Sequence, residues 1–493
     1  MTRPNILLIT ADQLRADALA CNGNPFVRTP HLDRLTQEGV NFVRACTPNP
    51  ICVPARATIT TGNYSHRATG CKANHGLIRD DQPRLAVHFR RAGYATYALG
   101  KLHYVPYAPP GEPRLLHGFE YAELTESGRI LRRYDPEGRR TGLEDYHDFL
   151  RAAGWGGYQR AHGIGNNDIR PGISPLPPEL YVDAWVADRS LAKLREHLER
   201  RDTRPFLMWV SFPKPHSPYD PPGPYHRLYD PRRLPPPIGD ASHLAGRNPH
   251  LLRQRLSHGV NFFSPEMVQV SRAAYHALVT FQDEMVGRLL RFLDETGLRQ
   301  NTIIIYTSDH GDLLGDFGCF FKSNMLNGSV RIPFIVSAPG LIRSGVVATD
   351  LVGLEDILPT LCELAEVPLS QPVHGLNLAD LLRDGKSLGR SLYLSQCLDS
   401  PWQQYMAFDG RLKYCYTEAN GVEEFYDLER DPQELRNLAA EVDLAPWRAR
   451  VIAWCRAHGD LAMLDGERLK RSDVPREQIE VPFNPAGMGW RWY

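Results

Sequence analysis

No stretch of the 493-residue chain approaches the roughly eighteen consecutive apolar residues that a membrane-crossing helix needs. Net charge is also absent, with 57 basic against 57 acidic residues, and the basic ones are scattered, which argues against nucleic acid as a partner. The nine cysteines are an odd, unclustered set with no C-x-x-C pair, so neither a disulfide framework nor a zinc-ligand spacing is indicated. Met1-Thr2-Arg3-Pro4 leads straight into an apolar run without a signal-peptide pattern, and the expected location is the cytoplasm, away from any membrane. There is no internal repeat or low-complexity tract. Length makes one large domain with a smaller appendage the default.

Several short apolar, β-branched runs read as strands buried on both faces of a parallel sheet. They are Asn5–Thr10, Tyr94–Leu99, Pro205–Phe212, Thr302–Thr307 and Pro333–Ser337. Helical patterns separate them: a short helix after Thr29, read as its cap, one over 85–92, one over 183–199, and one over about 265–295 whose Ala274, Leu278, Phe281, Met285 and Leu289 keep a 3.6 period. Residues 106–180 are rich in Gly, Pro, Arg and Tyr without periodicity and read as long loops. A helix over 354–365 carries Pro359 in its apolar face, which predicts a kink. From about residue 390 the texture becomes short alternating runs around Asp409-Gly410, a hairpin signal, followed by a helix over 443–458 and an aromatic tail. The expected fold class is α/β: a large, mainly parallel sheet sandwiched by helices over 1–388, with a smaller C-terminal α+β subdomain over 389–493.

Open α/β sheets bind ligands at the carboxyl ends of their strands. Polar residues fall there repeatedly: Asp12 and Gln13, Lys101 and His103, His216, then Asp309 and His310. Any one of them also has an ordinary reading as a cap, turn or surface residue. Together, two carboxylates, an amide oxygen and an imidazole suit one divalent cation. A further element, Cys52-Val53-Pro54-Ala55-Arg56, sets a cysteine just before a proline-started helix, where unpaired backbone N–H groups attract negative charge.

The C-V-P-A-R segment resembles the signature of the type I, formylglycine-dependent sulfatases of the alkaline phosphatase superfamily. The likeness extends over most of the chain through Ala11-Asp12-Gln13, Gly100-Lys101 with His103, Pro215-His216, Ser308-Asp309-His310-Gly311 and Asp427-Leu428. It implies that Cys52 is converted to Cα-formylglycine by a formylglycine-generating enzyme, and that the aldehyde hydrate attacks the sulfur of a sulfate ester. It implies metal ligation by Asp12, Gln13, Asp309, His310 and the residue derived from Cys52. Arg56 and Lys101 then hold the hydrate and the ester's anionic oxygens, His103 is the base that breaks down the covalent intermediate, and His216 and Lys322 meet the sulfate and the leaving oxygen.

Many sulfatases have a second aspartate where this chain has Gln13, and asparagine where it has His310. The Asp-Gln and Asp-His pairs look instead like the choline sulfatases and the arylsulfatase and phosphonate monoester hydrolase branch. One charge fewer and one nitrogen ligand more weaken the case for Ca2+, which stays the expected cation, and admit Mn2+. The expected substrate is an aryl, small-molecule or carbohydrate sulfate ester. The alternative is a phosphonate monoester or phosphodiester, but hydrolases of that kind resemble one another in lacking the Lys101 and His103 pair. A homo-oligomer is left open.

Overall fold

The computed structural model describes residues 3–104, 114, 116–128, 135 and 140–484. The aromatic tail from 485 onward lies outside the described residues. The main sheet has eight strands: β1 (Asn5–Asp12), β2 (Val40–Phe42), β3 (Ala95–Gly100), β4 (Tyr121–Leu124), β5 (Phe206–Pro215), β6 (Thr302–Ser308), β7 (Phe334–Ser337) and β8 (Val346–Ala348). Their spatial order is β4-β3-β5-β1-β6-β7-β2-β8. β1 lies at the centre, parallel to both β5 and β6, with Leu8 opposite Trp209 on one side and Ile305 on the other.

All eight residues of β1 are buried because each face of the strand feeds a different core. Leu7 and Ile9 point into one cluster with α4 (Val182–Glu199) and α5 (Pro265–Glu295). Ile6 and Leu8 point into the other, with α2 (Cys52–Thr61), α3 (Leu85–Arg91) and α6 (Ile357–Leu364). The period-2 alternation of a strand thus divides one apolar run between two layers, each fully buried Leu or Ile contributing about 1.5–3 kcal/mol. The apolar positions read on α5 are all buried, and its start is fixed by Ser264, whose side chain accepts from Met267 N, with Pro265 in the first turn.

A second, four-stranded antiparallel sheet has the order β12-β11-β10-β9, built from β9 (Tyr393–Cys397), β10 (Gln404–Phe408), β11 (Leu412–Thr417) and β12 (Val422–Asp427). The hairpin turns at Asp409 and Gly410, and α7 (Ala445–His458) packs Trp447, Val451 and Cys455 against Tyr405, Tyr414 and Phe425. A buried ion pair, Lys72 to Asp460 at 2.9 Å, ties the segment after α7 to the loop around residue 72.

Some local expectations change. Residues 106–180 hold more than loops: β4 forms the sheet edge and Asp145–Ala152 is helical. Pro359 produces no kink, because a 3-10 turn over Leu354–Asp356 precedes α6 and leaves the proline in its first turn, where no N–H is required. Thr29 stands at the start of α1 (Pro30–Gln37), yet its hydroxyl bonds Asp33 and Ala20 N rather than the helix's own amides. β7 runs antiparallel to β6 and β2. No helix among the described residues is long and apolar enough to cross a membrane, and all nine cysteines are unpaired.

Candidate active site

The parallel strands β3, β5, β1 and β6 end at one edge of the sheet, so their carboxyl ends deliver, in that order, Lys101, His216, Asp12 and Asp309. α2 points its N-terminus at the same place. Cys52 is the first residue of that helix rather than the one before it, and the next amide, Val53 N, is taken by Asn74 Oδ1 at 3.0 Å. Donor atoms of Asp12, Cys52, Asp309 and His310 all lie within 4.8 Å of one another, fully enclosed. Cys52 Sγ is 3.1 Å from His310 Nε2 and 3.8 Å from Asp12 Oδ1.

Each donor is oriented by a partner. Asp309 Oδ1 accepts from the backbone N–H of Gln13 and of His310, both at 3.0 Å, while Oδ2 accepts from Arg56 Nε at 2.9 Å. Arg56 has no solvent exposure; its Nη1 donates to Ser211 Oγ at 2.8 Å and to the Lys101 carbonyl at 2.5 Å. His310 Nδ1 donates to the Gly311 carbonyl at 2.9 Å, which leaves Nε2 as the ring atom facing Cys52. Asp12 Oδ2 receives the Lys101 ammonium.

Gln13 sits in the left-handed region at φ 68°, a conformation held by Tyr275 of α5, whose hydroxyl donates to the Gln13 carbonyl at 2.8 Å. Its side-chain amide is fixed in sense: Nε2 donates to Asp312 Oδ2 at 2.5 Å, and Oε1 accepts from Lys322 Nζ. Lys322 therefore reaches the site through Gln13. His103, also left-handed at φ 54°, lies two residues beyond Lys101 and donates its backbone N–H to Glu126 Oε1 at 2.7 Å. The His216 ring is set by Nδ1 on the Ser217 carbonyl at 2.8 Å.

The electrostatics follow from this crowding. Burial alone would push the Asp12 carboxyl up, but Lys101, His216, Arg56 and Lys322 hold it well below the usual carboxylate range. Burial and Asp12 also push the Cys52 thiol up, yet Lys322, His310 and Lys101 outweigh them and leave it below its ordinary value. His310 is raised: burial opposes its charging, while Asp309 and Cys52 favour it more. The Asp12 and Asp309 carboxylates, the Cys52 sulfur and the His310 imidazole face one enclosed point, and this donor set, with the Gln13 amide oxygen beside it, fits a divalent ion.

Three residues outside the sequence expectation support this arrangement. Asp312 orients Gln13 and also accepts from Tyr219 Oη at 2.5 Å, Leu314 N and Phe321 N. Ser211, inside β5, holds Arg56, and Glu126 holds the His103 backbone. Asp312 stands three residues after Asp309, and Ser211 is a polar residue within a run already read as a strand, so position flagged both while their roles depended on which way the side chains face.

A family model described as Sulfatase matches residues 4–367, and one described as N-sulphoglucosamine sulphohydrolase, C-terminal, matches residues 315–451. An arylsulfatase of Clostridium perfringens is 32% identical over 450 residues, covering 88% of this chain and 90% of that protein. A choline-sulfatase of Rhizobium meliloti is 32% identical over 447 residues, covering 89% and 82%. In shape, the phosphonate monoester hydrolase of Agrobacterium radiobacter matches with a TM-score of 0.77 at 24% identity, over 95% of this chain and all of that one, a likeness of fold alone. On the breadth of the family match and the identity to these relatives, the chain belongs to the sulfatase family, in its alkaline phosphatase-like branch.

Proposed function

We propose that the enzyme hydrolyses sulfate monoesters of aryl, small-molecule or carbohydrate alcohols, with Cys52 oxidised to Cα-formylglycine by a formylglycine-generating enzyme. The observation that carries this reading is the place of Cys52: the first residue of a helix, enclosed, 3.1 Å from His310 Nε2 and flanked by Asp12 with its Lys101 partner. One divalent cation would be held by Asp12, Gln13, Asp309, His310 and the oxygen derived from Cys52. It would supply charge to lower the pKa of that oxygen and polarise the ester. The preponderance of oxygen donors favours Ca2+, and the imidazole admits Mn2+.

The chain's own groups have separable tasks. Arg56 holds Asp309 and the Lys101 carbonyl in register, so its role is positioning as much as charge. Lys101 and Lys322 meet the anionic oxygens of the ester, the negative charge of which grows on the bridging oxygen as the bond to sulfur breaks. His216 and Lys322 neutralise the departing alkoxide. His103 takes the proton from the remaining hydroxyl of the hydrate, so that sulfate is expelled and the aldehyde returns without water attacking sulfur. We also read 1–388 as the catalytic domain and 389–493 as a subdomain, and we assign the protein to the cytoplasm, which the nine unpaired thiols support.

A phosphonate monoester or phosphodiester substrate is the second reading, favoured by the likeness of fold to the Agrobacterium enzyme. The Lys101 and His103 pair decides against it. Lys101→Ala is expected to lower turnover of an aryl sulfate by about 10²–10³, equivalent to a few kcal/mol. His103→Ala is expected to release a burst of phenol and then stall as a sulfated enzyme. If the wild type turns over a matched phosphonate monoester orders of magnitude faster than the sulfate, and both variants are nearly unaffected, the second reading replaces the first.

A further inference from the structure

A second set of ligand-type side chains meets outside the active site. Cys71 Sγ, a ring nitrogen of His75 and a carboxylate oxygen of Asp399 lie within 4.8 Å of one another. No sequence spacing announces the trio, because Asp399 lies just past the carboxyl end of β9 in the second sheet, while Cys71 and His75 sit in the loop that follows the short helix Ser65–Ala68. Asp399 is built into place: Oδ1 accepts from Lys72 N at 3.0 Å. Oδ2 is 3.3 Å from His75 Nε2 and, although shielded from solvent, makes no hydrogen bond. The loop wraps around the thiol so closely that a Cβ at Gly76, which has φ 108°, would stand 2.5 Å from Cys71 Sγ. His75 is 71% exposed in its side chain, so the cluster opens to solvent.

We propose that this cluster is a binding site for a borderline-soft divalent cation of the Zn2+ class, with Cys71 thiolate, His75 Nε2 and Asp399 Oδ2 as ligands and water in the fourth position. Thiolate with imidazole selects such a cation over the hard ion suited to the active site. Bonds of about 2.3 Å to sulfur and about 2.0 Å to nitrogen at a tetrahedral angle set ligand atoms about 3.5 Å apart. From the 4.8 Å limit a contraction of about 1.3 Å at most reaches that geometry, and the exposed His75 side chain is the part able to move. On binding, the Cys71 S–H bond breaks, the metal–sulfur bond forms and the proton passes to solvent, so affinity falls as pH is lowered. The ion joins the 71–75 loop to the second sheet. Within that loop Asn74 caps the amide next to Cys52, so the ion orders a segment that borders the nucleophile.

The probe is Co2+ added to Cys52→Ala protein, which lacks the active-site thiol. The expected result is a near-ultraviolet thiolate-to-cobalt charge-transfer band that saturates at one equivalent, is displaced by Zn2+, and disappears with Cys71→Ser. His75→Ala, at an exposed position, is expected to fold normally and to weaken Co2+ binding at least tenfold, which decides the matter should Cys71→Ser not fold. No band in the Cys52→Ala protein, a band that survives Cys71→Ser, or one whose affinity is unchanged in His75→Ala overturns the proposal.

Discussion

Asp312→Asn isolates the part of the site that fixes Gln13. In the wild type the Gln13 amide has only one workable sense: Asp312 Oδ2 accepts from Nε2 at 2.5 Å, and Lys322, which only donates, holds Oε1. The asparagine keeps the volume and keeps Oδ1 for Leu314 N and Phe321 N, at 2.8 and 2.7 Å. Its amide nitrogen, however, sets donor against donor at Gln13 Nε2. Gln13 must then either lose a hydrogen bond to a charged acceptor, worth about 1.5–3 kcal/mol, or flip and turn its nitrogen toward Lys322. Both would weaken the proposed ligand without removing it. Outer partners of this kind typically govern about 10–100-fold in metal affinity. The expected outcome, read from activity titrated with Ca2+ or Mn2+ after chelation, is a midpoint raised by that factor, a maximal rate that partly recovers at saturating metal, and unchanged circular dichroism. An unchanged midpoint would refute Gln13 as a ligand oriented by Asp312.

Other tests probe the scaffold. Asp183 is fully buried, with Oδ1 lacking a hydrogen bond, and burial raises its carboxyl to about 7, so the fold favours its protonated form. That stabilisation is complete below the unfolded value near 3.8 and is lost as pH rises through about 7. Asp183→Asn does not titrate, so in denaturant unfolding its stability relative to wild type should gain about 2–3 kcal/mol between pH 5 and pH 8; a constant difference would contradict the burial argument. Gly100 ends β3 at φ 101°, and a Cβ there would come within 2.1 Å of the Ser211 carbonyl. Gly100→Ala should therefore part β3 from β5 just before Lys101, lowering both the melting temperature and turnover; wild-type activity in a fully folded variant would show that the close approach is dispensable.

The central strands were legible because β1, β5 and β6 are buried on both faces, which forces continuous apolar runs bounded by polar strand ends. The outer strands were less so. Gly39–Phe42 reads as a return strand and is β2, but β8 has three residues, too few for a period, and Phe334–Ser337 carries nothing that sets it antiparallel to β6. β4 is a half-buried edge inside a Gly- and Pro-rich stretch that masks it. At the site, Asp12, Cys52, Asp309 and His310 converge because strand ends and a helix start do so in this topology. The convergence of Arg56 on Asp309 and the pairing of Lys322 with Gln13 depend on side-chain direction across more than 250 positions of chain, which no local pattern encodes. Asp312 and Asp309 are the same residue type three positions apart, and only the facing of each carboxylate separates a positioner from a proposed ligand.

The direct test of the account is the chemical state of residue 52 measured alongside turnover. Protein coexpressed with a formylglycine-generating enzyme, and protein made without it, would each be digested with trypsin and the peptide spanning 45–56 analysed by mass spectrometry. Aryl sulfate turnover is expected to scale with the fraction of that peptide carrying an aldehyde in place of the Cys52 thiol, and to vanish where only cysteine is present. Full activity in protein whose residue 52 is entirely unmodified cysteine would contradict the assignment of the nucleophile.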